Sequence, residues 1–329
     1  MVGFDGTEFN PDLKFLIGTL NVGGLILFSR NLDTPEQIRQ LCRDCQAHAG
    51  HCGLPPLFIA IDQEGGQVAR LKPPFTTFPG NPAMKDPRDA VHFARVTAME
   101  LRQIGINMDM APVLDIVPEG IDSIMAGRAF GSDPQWVSSM GMTVIDGLQR
   151  RNIMAVAKHF PGIGRTVLDS HLALPDLDVD RNTLRDVDLI PFNTAIQGNV
   201  AGIMLSHIRY TGIDPVWPAS LSPAITADLL RGKMGYDGVV MTDDLDMGAI
   251  KPNHDIDTAI DQILLSDVDI ALICHKGPDI EAACDRIRRS IADDTHLRQM
   301  GKRSVQRILS LKKTYLTGDW EKRYELPLC

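Results

Sequence analysis

Eight short apolar runs recur along the chain, each followed by a stretch with helical spacing. They are Val2 to Phe4, Leu25 to Phe28, Leu57 to Ile61, Ile106 to Met110, Ile153 to Ala157, Ala201 to Leu205, Gly238 to Met241 and Asp269 to Ile273. None shows the strict apolar/polar alternation of a strand with one wet face, so each reads as a strand buried on both sides of a parallel sheet. Amphipathic spacing predicts helices from Arg88 to Ile104, Pro134 to Arg150, Leu184 to Gln197 and Ala224 to Lys233. Another is expected to begin at Thr34-Pro35-Glu36, which supplies an N-cap, a proline for the first turn and an acidic residue. Eight βα units predict an α/β fold, a TIM (β/α)8 barrel. A doubly wound sheet is the structural rival, but no Gly-x-Gly-x-x-Gly turn follows a first strand. No linker, repeat or low-complexity tract divides the chain. Residues 1–329 therefore read as one catalytic barrel domain, with 315–329 as a C-terminal tail.

The polar residues sharpen this picture. Asp62-Gln63-Glu64 follows the third run, Asp115 the fourth, Lys158-His159 the fifth, Ser206-His207 the sixth, Asp243-Asp244 the seventh and His275-Lys276 the eighth. All lie at carboxyl ends, which in a barrel converge on one mouth where active sites are built. The densest segment is Lys158 to His171, where two imidazoles, a lysine and a carboxylate share a turn-rich stretch. Asp169 lies two residues from His171, close enough to steer an imidazole for proton transfer. Gly162 and Gly164 suggest a loop that moves over a bound substrate. Ile61-Asp62-Gln63-Glu64-Gly65-Gly66 reads as a ligand-hydroxyl binder followed by a flexible turn.

Composition narrows the classes. The chain has 329 residues, 44% of them hydrophobic, and a formal net charge of −9. Such a chain can bury a large core and carries no basic footprint for nucleic acid or an anionic membrane. Met1-Val2-Gly3-Phe4-Asp5-Gly6 has no basic region leading an apolar stretch, and no segment approaches the roughly 18 apolar residues of a membrane span. A cytoplasmic location and a small-molecule substrate are expected. Six cysteines do not make a disulfide scaffold at this length. Cys42, Cys45 and Cys52, with His48 and His51, have enough soft ligands for zinc, yet Ile38, Leu41, Cys42 and Cys45 form one apolar helical stripe and read as buried side chains. The mouth lacks the fixed spacing of a metal site. A carboxylate nucleophile with a separate proton donor fits its inventory better.

Three motifs together resemble glycoside hydrolase family 3: Ile61-Asp62-Gln63-Glu64-Gly65-Gly66-Gln67-Val68-Ala69-Arg70, the loop from Lys158 to His171, and Leu229-Leu230-Arg231 through Gly238-Val239-Val240-Met241-Thr242-Asp243-Asp244-Leu245. More narrowly, the chain is similar to the single-domain bacterial β-N-acetylglucosaminidases of that family. The likeness runs from Gly3 to about Met247, in the family's order. It implies Asp243 as nucleophile, His171 as general acid/base and Asp169 as its partner. It also implies that Asp62, Arg70, Arg128, Lys158 and His159 hold the sugar. His207 joins these as a candidate binding residue, with a core position as its alternative. The implied reaction is retaining hydrolysis of terminal β-N-acetylglucosamine, from peptidoglycan fragments such as muropeptides, with no cofactor and no metal. A monomer or weak homodimer is expected. Asp244 competes with Asp243 for the nucleophile's role, and Asp115 reads as structural, accepting backbone N–H groups at the rim. Where the family often has Gly-His-Gly, this chain has Gly162-Ile163-Gly164, followed by Arg165. Other readings are a β-glucosidase or glycoside phosphorylase of the same family, a metal-dependent barrel hydrolase, and a barrel that binds sugar without cleaving it.

Overall fold

The structure is a computed structural model that describes residues 1–170 and 174–316. Seven parallel strands form one sheet in sequence order: β1 (Gly24–Leu27), β2 (Phe58–Ile61), β3 (Met108–Asp109), β4 (Met154–Phe160), β5 (Gly202–Leu205), β6 (Val239–Asp244) and β7 (Ile270–Leu272). Val2 bridges Leu25 on one edge and Ile273 on the other, so the sheet curls round and its ends meet. The α/β barrel expected from the eight runs is therefore present, with the first run contributing a single bridging residue rather than a strand. β3 is shorter than its apolar run for a visible reason. Asn107 replaces ladder bonds with its side chain, accepting from Ile59 N at 2.9 Å and donating to Leu57 O at 3.0 Å, and Pro112 has no N–H to offer.

The alternation that the sequence hides becomes plain in three dimensions. Ile26, Phe58, Ala60, Met108, Met110, Met154, Val156, Met204, Val239, Met241, Ile270 and Leu272 form one buried cluster, and their sequence neighbours form another. The first fills the ring and the second joins the ring to its helices, as the period-two geometry of a strand requires. Both faces are apolar because both are covered, which is why no polar/apolar alternation appears along the strands.

The surrounding helices match the predicted ones closely. Thr34 caps Pro35–His51 by accepting from Gln37 N at 3.2 Å, and Pro87–Gln103 and Pro134–Gln149 fall within a residue of expectation. Cys42 and Cys45 sit in the core, where burial pushes their thiols up, while Cys52 meets only His48 at 3.7 Å. That settles the stripe as packing. The expected helices over 184–197 and 224–233 are wound partly or wholly as π-helix, at Leu184–Asp188 and Ala224–Lys233. The last helix, Thr295–Leu316, runs beneath the ring and takes in two residues read as tail; 317–329 lie outside the described residues. Among the described residues no helix is long and apolar enough to cross a membrane.

Candidate active site

The interior series of each strand continues past the apolar floor into the mouth. Phe58 and Ala60 are followed at the next even step by Asp62, Met154 and Val156 by Lys158, and Val239 and Met241 by Asp243. Strand geometry alone thus aims Asp62, Lys158 and Asp243 into one space. They line a cavity of about 140 Å³ with Arg70, Arg128, His159, Asp244, Phe28, Met204 and Cys274. Lys158, His159, Asp243 and Asp244 belong to the strands themselves, because β4 and β6 extend to Phe160 and Asp244. The sequence reading ended both strands at the first polar residue. Buried polar side chains with partners can continue a strand, and these do.

Lys158 is the centre of a buried ion network. Its Nζ lies 2.8 Å from Asp62 Oδ1 and 2.7 Å from Glu64 Oε1. Arg70 reaches Asp62 Oδ2 at 3.3 Å, and Arg128 clasps Glu64 through Nε and Nη2 at 2.9 and 2.7 Å. Burial works to neutralise the two carboxyls. The cations outweigh it and hold both below the usual carboxylate range, Lys158 and Arg70 acting on Asp62, Lys158 and Arg128 on Glu64. Burial likewise pulls the Lys158 ammonium down, and the two carboxylates raise it beyond compensation. Asp62, Glu64, Arg128 and Lys158 therefore stay charged near neutral pH.

A short hairpin, Gln63–Gly65 against Val68–Ala69, delivers Arg70 to this network. Gln63 Oε1 clips it shut by accepting from Arg70 N at 2.9 Å and Leu71 N at 3.1 Å. Gln63 therefore builds the site rather than binding a ligand hydroxyl. The turn expected to be flexible is packed. Gly66 has φ +61°, donates to Phe78 O at 2.9 Å, and a Cβ there would lie 2.9 Å from Pro79 O.

His159 is oriented by Asp115, whose Oδ2 lies 2.8 Å from Nδ1. Nδ1 then carries the proton, leaving Nε2 to accept from Arg128 Nη2 at 3.4 Å. Asp115 also accepts from Ile163 N at 2.8 Å and His159 N at 3.3 Å, so the rim role expected of it is correct and incomplete. Its bond to the imidazole was not legible from spacing.

Asp243 and Asp244 differ. Asp243 Oδ1 accepts from Asp244 N at 2.8 Å, and although burial raises the carboxyl, His207 and His159 when protonated, the Asp244 N–H and the Lys158 ammonium bring it below the usual range. Asp244 is committed to the turn, accepting from Asp246 N at 3.1 Å and Cys274 N at 2.9 Å, and burial leaves its carboxyl raised. His207 stands behind this pair. Its Nδ1 meets Ser220 Oγ at 2.7 Å and its Nε2 meets Asp244 O at 2.9 Å, while burial lowers its pKa. A neutral ring donating to that carbonyl uses both nitrogens, so His207 braces the β6 end and does not line the cavity.

The segment after β4 is firmly rooted. Tyr210 Oη donates to Gly162 O at 2.7 Å, Thr166 N donates to Ile163 O at 3.0 Å, and a Cβ on Gly164 would fall 1.8 Å from Ile116 O. Gly164 thus gives clearance, and Gly162 takes a φ of +122°. Ile163, where the motif departs from its pattern, is a buried core residue, and Arg165 Nε pairs with Asp188 at 2.9 Å. Burial nevertheless pushes the Asp188 carboxyl up to about 6. Farther out, Val167 and Leu168 are exposed, Asp169 is half-buried and Ser170 is pinned by Ala249 N at 3.0 Å. His171 lies outside the described residues.

Two other features have the outward form of a site. Asp244, Asp246 and His275 offer ligand atoms within 4.8 Å of one another, the one such group among the described residues. Asp244 Oδ1 and both Asp246 oxygens are engaged already, the latter with Lys251 Nζ at 2.9 Å and His275 N at 3.0 Å. A roomier groove of about 840 Å³ opens at the opposite end, between the starts of β5 and β6 and the last helix; it shares no lining residue with the cavity at the mouth.

Comparison with known proteins identifies the family and the fold. The model of the glycosyl hydrolase family 3 N-terminal domain matches residues 1–311. A protein named beta-hexosaminidase from Alkalilimnicola ehrlichii is 32% identical over 99% of this chain and 92% of its own length. The structure of a family 3 beta-N-acetylglucosaminidase from Paenibacillus sp. superposes with a TM-score of 0.92 at 35% identity over 100% of this chain. This chain spans 62% of that larger protein. A beta-N-acetylhexosaminidase from Beutenbergia cavernae superposes at 0.87, with 28% identity and 95% of each chain covered. A barrel whose mouth gathers ionised carboxylates and cations around one small cavity, matched along nearly its whole length by this family, belongs to glycosyl hydrolase family 3 and is a glycoside hydrolase.

Proposed function

We propose that the chain is a retaining exo-β-N-acetylglucosaminidase that removes terminal β-N-acetylglucosamine, with peptidoglycan fragments as its natural source. The observation that carries the reading is Asp243, a carboxylate kept ionised at the base of a cavity walled by Asp62, Arg70, Lys158 and Arg128. A volume of about 140 Å³ is small beside the roughly 300–1,000 Å³ of pockets for larger ligands, which suits one sugar ring and an exo mode of attack. The names of the relatives, beta-hexosaminidase and beta-N-acetylglucosaminidase, support the choice of sugar.

In this mechanism Asp62, Arg70, Lys158, Arg128 and His159 bind the hydroxyl groups of the terminal ring. Asp243 attacks the anomeric carbon as the glycosidic bond breaks, and His171 gives its proton to the departing oxygen. His171, turned neutral, then takes a proton from water as that water displaces Asp243 from the glycosyl ester. Asp169 stabilises the imidazolium that enters the first step and re-forms in the second. The roles of His171 and Asp169 rest on the motif resemblance. Asp244 N, donating to Asp243 Oδ1, fixes the attacking carboxylate and leaves Oδ2 for the sugar.

The test compares nitrophenyl β-N-acetylglucosaminide with the matching glucoside, using wild type, Asp243→Ala and His171→Ala. Asp243→Ala should abolish turnover, and His171→Ala should slow poor leaving groups more than good ones. Equal losses for every leaving group would remove the acid/base role. Sugar 1-phosphate formed in phosphate buffer would replace hydrolysis with phosphorolysis.

A further inference from the structure

Glu64 is among the most buried charged residues of the mouth, yet it cannot touch a sugar. It is 2% exposed and does not line the cavity, although Asp62, Arg70, Arg128, Lys158 and His159 all do. Both of its oxygens are used. Oε1 takes Lys158 Nζ at 2.7 Å and Arg128 Nη2 at 2.7 Å, and Oε2 takes Arg128 Nε at 2.9 Å. A two-point clasp of this kind fixes the plane of a guanidinium as well as its distance. Asp62, two residues earlier on the same side of an extended segment, faces the cavity. The two carboxylates therefore divide the work, one presented to the ligand and the other to the cations behind it.

We infer that Glu64 is a positioning residue, setting the orientation of Arg128 and the charge and reach of Lys158, and through Arg128 the contact made with His159 Nε2. The inference rests on reading the cavity as the sugar subsite. Among the described residues no other carboxylate bonds Arg128, and its guanidinium also meets His159 Nε2 at 3.4 Å and Met125 Sδ at 3.6 Å. Without Glu64 the nearest compensation for Arg128 is Asp62 or Asp115, both of which already raise its pKa at longer range. Either move removes a group the site needs: Asp62 from the sugar, or Asp115 from the His159 ring.

Glu64→Gln keeps the volume and removes the charge. On nitrophenyl β-N-acetylglucosaminide it should lower kcat/KM by about 10²-fold, mostly through KM, as expected for ligand-binding groups displaced by about an ångström. Inhibition by free N-acetylglucosamine should weaken in parallel. Glu64→Asp restores the charge one methylene short, so it should recover part of the loss while KM stays above that of the wild type; it also decides the matter if Glu64→Gln fails to fold. An unchanged kcat/KM, or a lowered melting temperature with KM unmoved, would reduce Glu64 to a structural ion pair. Wild-type turnover separates the two readings. An inactive wild type overturns the sugar subsite, whereas an active one indifferent to Glu64→Gln overturns this inference alone.

Discussion

Two lysines are buried at opposite ends of the barrel, and their surroundings have nothing in common. Lys158 at the mouth is held between two carboxylates, which raise its pKa against the effect of burial. Lys312 at the floor donates to Gly23 O at 2.8 Å and lies 4.8 Å from the centroid of the Phe58 ring, and burial alone lowers it to about 8. The floor lysine closes the bottom of the ring as a long amphipathic side chain with one satisfied proton. The mouth lysine belongs to a network of charges whose cost of desolvation is offset only by their mutual arrangement. Burial of a charge is therefore a poor guide to function by itself, and the presence of organised counter-charges facing a cavity is a better one.

The comparison breaks most sharply at Lys158. Lys158→Met leaves Asp62 and Glu64 facing each other without their shared cation, so kcat/KM should fall by about 10³-fold or more. Stability should drop by roughly 3–5 kcal/mol, the usual cost of breaking a buried pair. Steady-state kinetics and denaturant melts would show both, and a fully active variant would end the case for the mouth as a sugar site. Asp115→Asn is expected to act next in size, at about 10–100-fold in kcat/KM, since it removes the charge that fixes the His159 tautomer while keeping most of the shape. A loss that melts with the protein, rather than appearing in kinetics at low temperature, would assign Asp115 to packing alone.

The smallest effect belongs to the floor. Lys312→Met should leave kcat/KM unchanged and stabilise the protein by about 1–3 kcal/mol at neutral pH. The pH dependence gives the sign. The folded value of about 8 lies below the unfolded one near 10.4, so between them the folded chain binds fewer protons and stability rises with pH. The penalty is complete below pH 8 and fades toward pH 10. The gain from Lys312→Met should shrink over that window, and a gain independent of pH would mean that packing, not charge, is what the substitution changes.

Much of this was legible in the chain itself. The apolar runs located every strand of the ring to within a few residues, and Thr34-Pro35 placed its helix to the residue. The errors share one cause. The apolar runs stop at Ala157 and Met241 while β4 and β6 continue through Lys158 and Thr242, and Gln63, inside a segment that reads as a ligand-hydroxyl binder, instead holds the backbone N–H groups of Arg70 and Leu71. Gly164 is needed because Ile116 O leaves no space for a Cβ, a neighbour that local spacing does not reveal. In each case the deciding neighbour is distant in sequence or carries no side-chain signature.

What the sequence determined by itself is the class of fold and the inventory of its mouth. The period of the apolar runs sets the strands, and the polar residues after each run must gather wherever the carboxyl ends converge. What only the tertiary structure decided is which of those residues face the cavity and which support them. Asp62 and Glu64 are carboxylates two positions apart, as alike on paper as Asp243 and Asp244, and spacing cannot say which meets the ligand. That division follows from the closure of the ring, which brings Lys158 and Arg128 across from other strands and loops and gives one carboxylate to the cations and the other to the open space.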